Sequence, residues 1–197
     1  MVIEVQFLKK LIKIIFGAKP KEASMHFRIG VVGFAFGLRS EALEPNPSNV
    51  ALADKVHDAA GYVSFNDGLP VVVTQWEITK ALKQKYGFQV NHSVKLRTDG
   101  KYLDSRGVWE EAKQEFAQRG VSRVIIIAQP FLHLPSLKKM IVADGYGVYD
   151  YRTGAIPFDD SKLNTQPWTR TKLALAVYAV RSMLGMKHGH DGRQSAT

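Results

Sequence analysis

Apolar residues along the chain fall into short uninterrupted runs, and the segments between them repeat their apolar positions every three or four residues. A run that is apolar throughout is typical of a strand buried on both faces, as in a parallel sheet. The clearest runs lie at 27–34, 69–75 and 122–129, and further candidate strands lie at 88–96 and 145–151.

The intervening segments predict helices. They cover roughly 50–60, 76–86, 105–119 and 133–143, and Pro167 suits the first turn of a final helix. Ser48 or Asn49 is predicted to cap the first helix, while Gly87 and Gly120 end the second and third. Strand and helix therefore alternate, which predicts an α/β fold: a three-layer α/β/α sandwich with a mostly parallel, Rossmann-like sheet.

Residues 2–16 predict an amphipathic helix with a wide apolar arc. Gln6, Lys9, Lys10 and Lys13 share one narrow polar sector. An arc this broad packs either on the chain's own domain or a dimer partner, or else on an anionic membrane surface. Its apolar members are Val5, Phe7, Leu8, Leu11, Ile12, Ile15 and Phe16.

Helix-breaking residues and a change in composition divide the chain into three parts. Gly17 and Pro20 end the first helix, so residues 1–24 form an amphipathic helix and linker. Residues 25–185 are expected to be a single α/β domain, and 186–197 a flexible polar tail. The length of 197 residues suits one domain with peripheral additions.

Composition excludes some kinds of site and favours some kinds of partner. The chain has no cysteine, which excludes disulfides, thiolate catalysis and cysteine-ligated metals. A net charge of +9 favours anionic partners such as phosphate-bearing ligands or acidic lipids. The basic residues are scattered, however, and no arginine-rich run appears, so a solvated basic surface is a better interpretation than nucleic-acid binding.

Location in the cell follows from hydropathy. No stretch approaches the ~20 apolar residues of a membrane span, and Lys9, Lys10 and Lys13 interrupt the apolar region that a signal peptide needs. We therefore expect a cytoplasmic protein, peripheral on the inner membrane face if residues 2–16 bind lipid, and a homo-oligomer if they bind a second copy.

Ligands of open α/β sheets gather beyond the carboxyl ends of the strands, at a point where strand order reverses. Gly33 and Gly37 bound the junction GFAFG at the end of the first strand, and this junction is predicted either to expose amides that cradle an anion or to form an ordinary turn. Glu77 opens the helix after the second strand, where a carboxylate either serves a ligand or complements the helix dipole.

Three further residues begin the helix at 105–119. Asp104 and Ser105 are each predicted to cap that helix or to contact a ligand, and Arg106 to pair with a carboxylate or phosphate. His133 begins the helix after the clearest strand, where the positive helix end lowers its pKa and favours a neutral imidazole. A structural histidine is the alternative. No metal site is predicted, because the histidines lack ligand spacing.

The stretch GVSRVIIIAQPFLHLPSLKKMIVADGYGVYD at 120–150 resembles the bacterial family of SanA, ElyC and YdcF, a domain family of unknown function. Its Arg-led apolar strand, His-x-Pro helix start and glycine before the last strand carry the likeness. Upstream, Ser105, Glu110 and Ala112 align with a Ser-led helix, and Glu77 with a glutamate-bearing helix. The likeness covers roughly residues 27–184.

The resemblance implies an open α/β fold with a polar cleft. It also implies S-adenosylmethionine as a cofactor, since one member is associated with it, and envelope roles known for others. Four positions depart from the family pattern: Gln75 for a glycine turn, Val108 for threonine, Glu111 for asparagine and Ser136 for arginine. A divergent member with altered or lost activity is therefore implied.

Two functions remain open. The first is binding of a nucleotide-like or phosphate-bearing small ligand, with Glu77 and His133 as acid, base or hydrogen-bonding groups and with Gly33, Gly37, Asp104, Ser105 and Arg106 as further ligand contacts. The second is a peripheral membrane or interaction protein that uses residues 2–16. The sequence does not decide whether the chain is an enzyme.

Overall fold

The computed structural model describes residues 28–39, 44–95 and 104–184. The predictions for residues 2–16, for the linker and for the tail at 186–197 lie outside these ranges. The elements in chain order are β1 (Arg28–Gly33), α1 (Pro47–Asn66), β2 (Val71–Gln75), α2 (Trp76–Tyr86), β3 (His92–Val94), α3 (Ser105–Gln118), β4 (Val121–Ile127), α4 (His133–Ala143), β5 (Gly147–Val148), a 3-10 turn (Pro167–Thr169) and α5 (Lys172–Met183).

Five parallel strands form the sheet in the order β3-β2-β1-β4-β5. In the register, Val31 of β1 lies between Val72 of β2 and Ile125 of β4. Strand order reverses between β1 and β4, which makes their carboxyl ends the switch point of the sheet. The prediction of an α/β/α sandwich on a parallel sheet is confirmed.

Helices cover both faces of this sheet. Alternate residues of a strand point to opposite faces, so Val31 joins the core beneath α1 and α2 while Val32 joins the core beneath α3 and α4. Both valines are fully buried, and Trp109 of α3 is a fully buried side chain in the second core. Val108, Trp109, Ala112 and Phe116 share one face of α3, and all four are buried.

The predicted cap of α1 was wrong. The helix begins at Pro47 and its N-cap is Asn46, whose side chain accepts a hydrogen bond from the Asn49 amide. Proline suits the first helical position, because it lacks an amide hydrogen that would have no helical partner there. Ser48 instead donates its hydroxyl to the Pro157 carbonyl.

Other boundaries also differ from prediction. Helix α1 continues to Asn66 and does not end near residue 60. Pro167 opens a separate 3-10 turn, and α5 begins after Thr171, which caps it by accepting from the Ala174 amide. The strands β3 and β5 are much shorter than the runs at 88–96 and 145–151. Both are edge strands with one neighbour, so apolar residues outside the ladder, such as Phe88, pack on the core without strand pairing.

A long irregular segment, residues 149–171, crosses the carboxyl ends of β1 and β4 before α5. Its Ile156 carbonyl accepts from Gln129 Nε2 after β4. Its Asn164 accepts from the Leu38 amide after β1, and its Asp159 accepts from Nη2 and Nε of Arg39 at 2.9 and 3.0 Å. We call it the crossing segment. It closes one side of the switch point with the protein's own chain.

None of the helices in the described ranges has both the length and the hydropathy that a bilayer span requires.

Candidate functional site

The switch point brings together the ends of β1 and β4 and the start of α3. After β1 the chain continues through Phe34 to Phe36, and after β4 it reaches His133, the first residue of α4. Ser105 is the first residue of α3. Ser105, His133 and the β1 loop are distant in sequence but lie together at this edge of the sheet, as the strand order leads one to expect.

A tight turn fixes His133 in place. Leu132 has φ 64° and ψ −30°, and among the described residues it is the one non-glycine with positive φ. The His133 amide donates to the Phe131 carbonyl at 2.8 Å, closing a three-residue γ-turn of a rare and strained kind. Strain of this sort clusters at functional sites, at a cost on the order of 1–3 kcal/mol.

The imidazole of His133 is held by one polar and two aromatic neighbours. Its Nε2 lies 2.9 Å from the Ser105 hydroxyl oxygen. Phe34 meets the ring edge-on with centroids 6.1 Å apart, and Phe36 lies at 6.2 Å. Nδ1 is buried and has no hydrogen-bond partner in the described ranges. Burial without a counter-charge lowers the pKa of His133 to about 4.

This arrangement favours hydrogen bonding over proton transfer. The imidazole is neutral at neutral pH, so one ring nitrogen donates and the other accepts. An activated serine nucleophile needs a base of sufficient pKa that a third group orients, and Nδ1 of His133 lacks such a group among the described residues. Ser105 and His133 therefore form a neutral polar pair whose two groups can exchange donor and acceptor roles.

The glycine loop after β1 uses its amides internally. The amides of Phe34, Ala35, Phe36 and Leu38 donate to protein oxygens, namely the Ile127 carbonyl, Gln75 Oε1, Asn49 Oδ1 and Asn164 Oδ1. Those four donors are thus unavailable to an anion. The start of α4 offers little more, because the amides of His133 and Leu134 donate to carbonyls and Pro135 has none.

Gly33 and Gly37 have packing reasons to be glycine. A Cβ on Gly33 would lie 2.9 Å from the Thr74 methyl group, and one on Gly37 would lie 2.9 Å from the amide nitrogens of both Asn46 and Asn164. Gly37 also has φ +78°, which side chains rarely adopt. Their neighbours are protein atoms, so close packing accounts for glycine at both positions, and a turn conformation is a further reason at Gly37 alone.

The three residues at the start of α3 have different partners. Asp104 is the N-cap and accepts from the Gly107 amide at 2.8 Å. Arg106 is exposed and turns toward Asp144 and Glu110, at 3.4 and 3.6 Å. The structure thus brings Ser105 to His133 and directs Arg106 elsewhere.

Asp144, just after α4, organises that second cluster. It also accepts from the buried Trp109 indole at 2.6 Å and from Lys113 at 3.2 Å. These hydrogen bonds, together with the positive charge of Lys113 and Arg106, lower the pKa of Asp144. The cluster links α3 to the end of α4.

Glu77 lies at the same edge of the sheet but not in the same contact. Its side chain is 4% exposed, in the first turn of α2 as predicted. Within the described ranges, Ser105 and His133 bond to each other and not to Glu77. Because β2 and β4 flank β1, their ends are separated by about 10 Å.

Gln75, Val108, Glu111 and Ser136, the four departures noted from the sequence resemblance, each have a local environment in the fold that accounts for them. Gln75 accepts from the Ala35 amide at 2.6 Å, and Val108 is fully buried. Glu111 lies 3.0 Å from His92, and the Ser136 hydroxyl donates to the His133 carbonyl at 2.8 Å. Each of these four side chains is therefore accommodated by the fold.

Two features of the site were missed in the sequence. Phe131 and Leu132 are 38% and 41% exposed beside His133, and Trp76 has a buried indole nitrogen without a partner in the described part of the chain. All three follow strand ends, so the rule that places ligands at carboxyl ends could have found them.

No family model, curated protein or solved structure matches this chain. The resemblance to the SanA, ElyC and YdcF family consequently stays a prediction. Among the described residues, no group of three or more histidine, aspartate or glutamate side chains is arranged to hold a metal ion.

Proposed function

We propose that this protein binds a small nucleoside-bearing ligand at the switch point, through Ser105 and His133. One observation carries the proposal. Ser105 and His133 form a neutral pair through His133 Nε2 at 2.9 Å, while the other ring nitrogen of His133, Nδ1, is buried and has no hydrogen-bond partner among the described residues. Most buried polar atoms in proteins are hydrogen-bonded, and an exception calls for an explanation such as a missing ligand.

Apolar surface beside the pair supports a ligand with a planar part. Phe131 and Leu132 both expose more than a third of their surface, although such side chains are usually buried. The strained φ of Leu132 holds this surface next to His133. An exposed phenyl ring suits a nucleobase, and a hydroxyl–imidazole pair suits the hydroxyls of a ribose.

The same geometry gives less support to a phosphate cradle. The described amides of the β1 loop and of the start of α4 are largely committed to protein oxygens, and Arg106 is paired with acidic groups. We therefore propose a nucleoside part as the recognised group and S-adenosylmethionine, which the family resemblance implies, as the first compound to test. The proposal assigns binding and no reaction, because a histidine with a pKa near 4 is a weak base.

A thermal-shift screen of the full chain tests the proposal. The panel contains S-adenosylmethionine, S-adenosylhomocysteine, adenosine, AMP, ATP and inorganic phosphate. A ligand at 100 times its Kd stabilises the native state by about 2.7 kcal/mol, which corresponds to a rise in Tm of roughly 5–10 °C for a chain of this size. We expect nucleosides to raise Tm and phosphate alone to leave it unchanged.

A pair of matched serine variants tests whether the nucleoside binds at Ser105. Ser105→Ala removes one partner of the pair, and we expect it to weaken nucleoside affinity roughly tenfold, as loss of about 1.4 kcal/mol would. Ser122→Ala is the control, since Ser122 is an exposed serine at the opposite end of β4. Equal affinity of the two variants, or stabilisation by phosphate and by no nucleoside, would refute the proposal.

A further inference from the structure

The last helix of the structure presents an apolar stripe to solvent. Leu173, Val177, Val180 and Leu184 are 75%, 44%, 53% and 70% exposed. They are spaced by four, three and four residues, so they lie along one face of α5. We call them the α5 seam.

Other side chains of α5 contact the domain. Leu175 is its one buried residue within the described side chains, and Tyr178 stacks on Trp168 with centroids 5.1 Å apart. Contiguous exposed apolar surface of this kind marks an interaction site. The alternation of four and three residues is the spacing with which one helix packs lengthwise against another.

Residues 2–16 contain a seam that matches it. Val5, Leu8, Ile12 and Ile15 are spaced by three, four and three residues in the predicted amphipathic helix. At a rise of about 1.5 Å per residue this seam is about 15 Å long, and the α5 seam is about 17 Å long. One chain thus encodes two seams of four residues each, of similar length, in which spacings of three and four residues alternate.

Chain length permits the two seams to meet. Strand β1 begins at Arg28, so residues 17–27 connect the predicted helix to β1. Eleven residues reach up to about 36–40 Å when extended, which is close to the diameter of about 40 Å expected of a domain this size. A tether of this kind raises the effective concentration of the helix to the millimolar range.

We infer that the amphipathic helix at residues 2–16 docks on the α5 seam of its own chain. This occupant covers the α5 seam and the seam of residues 2–16 in one contact. Pairing of α5 with a second copy of α5 would leave the arc of residues 2–16 uncovered. Docking also directs Lys9, Lys10 and Lys13 to solvent, because they lie opposite the apolar arc. The inference is independent of the proposed ligand.

Cysteine pairs in the full chain test this docking, because the protein has no cysteine of its own. Leu8→Cys or Ile12→Cys is combined with Val177→Cys or Val180→Cys, giving four pairs whose folding is checked by circular dichroism. A disulfide needs Cβ atoms about 3.5–4.5 Å apart. We expect at least one pair to close within one chain at least ten times faster than the control pair Lys10→Cys with Val177→Cys.

Maleimide labelling of the single variant Val177→Cys gives a second readout. Docking should protect this thiol, and adding Leu8→Asp should increase its labelling rate at least fivefold. Lys172→Cys, also exposed on α5, is the control whose rate should not change. This comparison remains informative if a disulfide pair has unsuitable geometry.

Three results would overturn the inference. Disulfides that join two chains, including those of Val177→Cys alone, would assign the seam to a second copy. A Val177→Cys thiol that is labelled rapidly in buffer and protected only by phosphatidylglycerol vesicles would assign it to a membrane surface. Absence of intrachain disulfides together with a labelling rate that Leu8→Asp leaves unchanged would show that residues 2–16 do not cover it.

Discussion

The hydroxyl oxygen of Ser105 lies 2.9 Å from Nε2 of His133, and the two residues are the first of α3 and α4, respectively. Each helix follows a strand of the parallel sheet, so the contact joins two crossover units at the carboxyl edge. Phe34 and Phe36 from the β1 loop complete the surroundings of the imidazole. The pair depends on the direction of the strands, because only parallel strands bring these helix starts to one edge.

Stability should depend on pH through His133. Its native pKa is about 4, below the value of about 6.5 expected in the unfolded chain. Between these values the unfolded state binds a proton that the native state does not, so stability is fully present above pH 6.5 and falls as pH decreases toward 4. Below pH 4 both states are protonated and the loss is complete.

Urea denaturation of wild type and His133→Gln between pH 4 and pH 7 measures this effect. We expect the wild type to lose roughly 2–3 kcal/mol more than the variant over that range, as the two pKa values imply. Other histidines and carboxylates contribute equally to both proteins and cancel. Parallel curves for the two proteins would show that His133 titrates normally.

Gly37→Ala should destabilise the protein more than Gly68→Ala. Both glycines have positive φ, +78° and +88°, so both variants incur backbone strain on the order of 1–2 kcal/mol. Only at Gly37 would the new Cβ meet protein atoms, at 2.9 Å, while Gly68 has none within 4 Å. Chemical denaturation should give an excess of at least about 1 kcal/mol at Gly37, and equal losses would contradict the packing we describe.

Arg39→Met should loosen the crossing segment. Asp159 is 3% exposed and pairs with Arg39 through two hydrogen bonds, so the variant leaves a buried carboxylate without its cation. Breaking such a pair costs about 3–5 kcal/mol. Lys55→Met, which breaks an exposed pair with Asp58, should cost under about 1 kcal/mol.

Amide hydrogen exchange shows which part of the chain Arg39→Met destabilises. Amides of residues 159–166 should exchange faster in Arg39→Met than in Lys55→Met, because Asp159 and Asn164 hold that part of the chain. Unchanged protection there would show that the ion pair does not order the crossing segment.

Local patterns were sufficient to predict the layers of the fold. Helix α2 was predicted with its observed bounds, and Gly87 ends it in the left-handed conformation, because apolar spacing and a C-terminal glycine act within a few residues. The cap at Asn46 was missed because Pro45 and Pro47 surround it, and its amide also reaches the Phe36 carbonyl ten residues away.

Tertiary partners explain what the sequence did not reveal at the site. His133 was singled out correctly as the start of α4, but its contact with Ser105 spans 28 residues and follows from strand order. Arg106 appeared free to bind an anion because Asp144, its partner, is distant in sequence. The crossing segment has no periodicity, and its order rests on side chains such as Asn164 that bind residues over 120 positions away.

Nitrogen NMR of His133 is the most direct test of the proposed site. In protein labelled with ¹⁵N-histidine, and with the signal assigned by its loss in His133→Gln, the ring nitrogens should show a neutral imidazole at pH 7 and down to about pH 5. Addition of the nucleoside that raises Tm should shift the His133 signals in wild type and much less in Ser105→Ala. His133 signals that stay fixed while that compound binds would contradict the account.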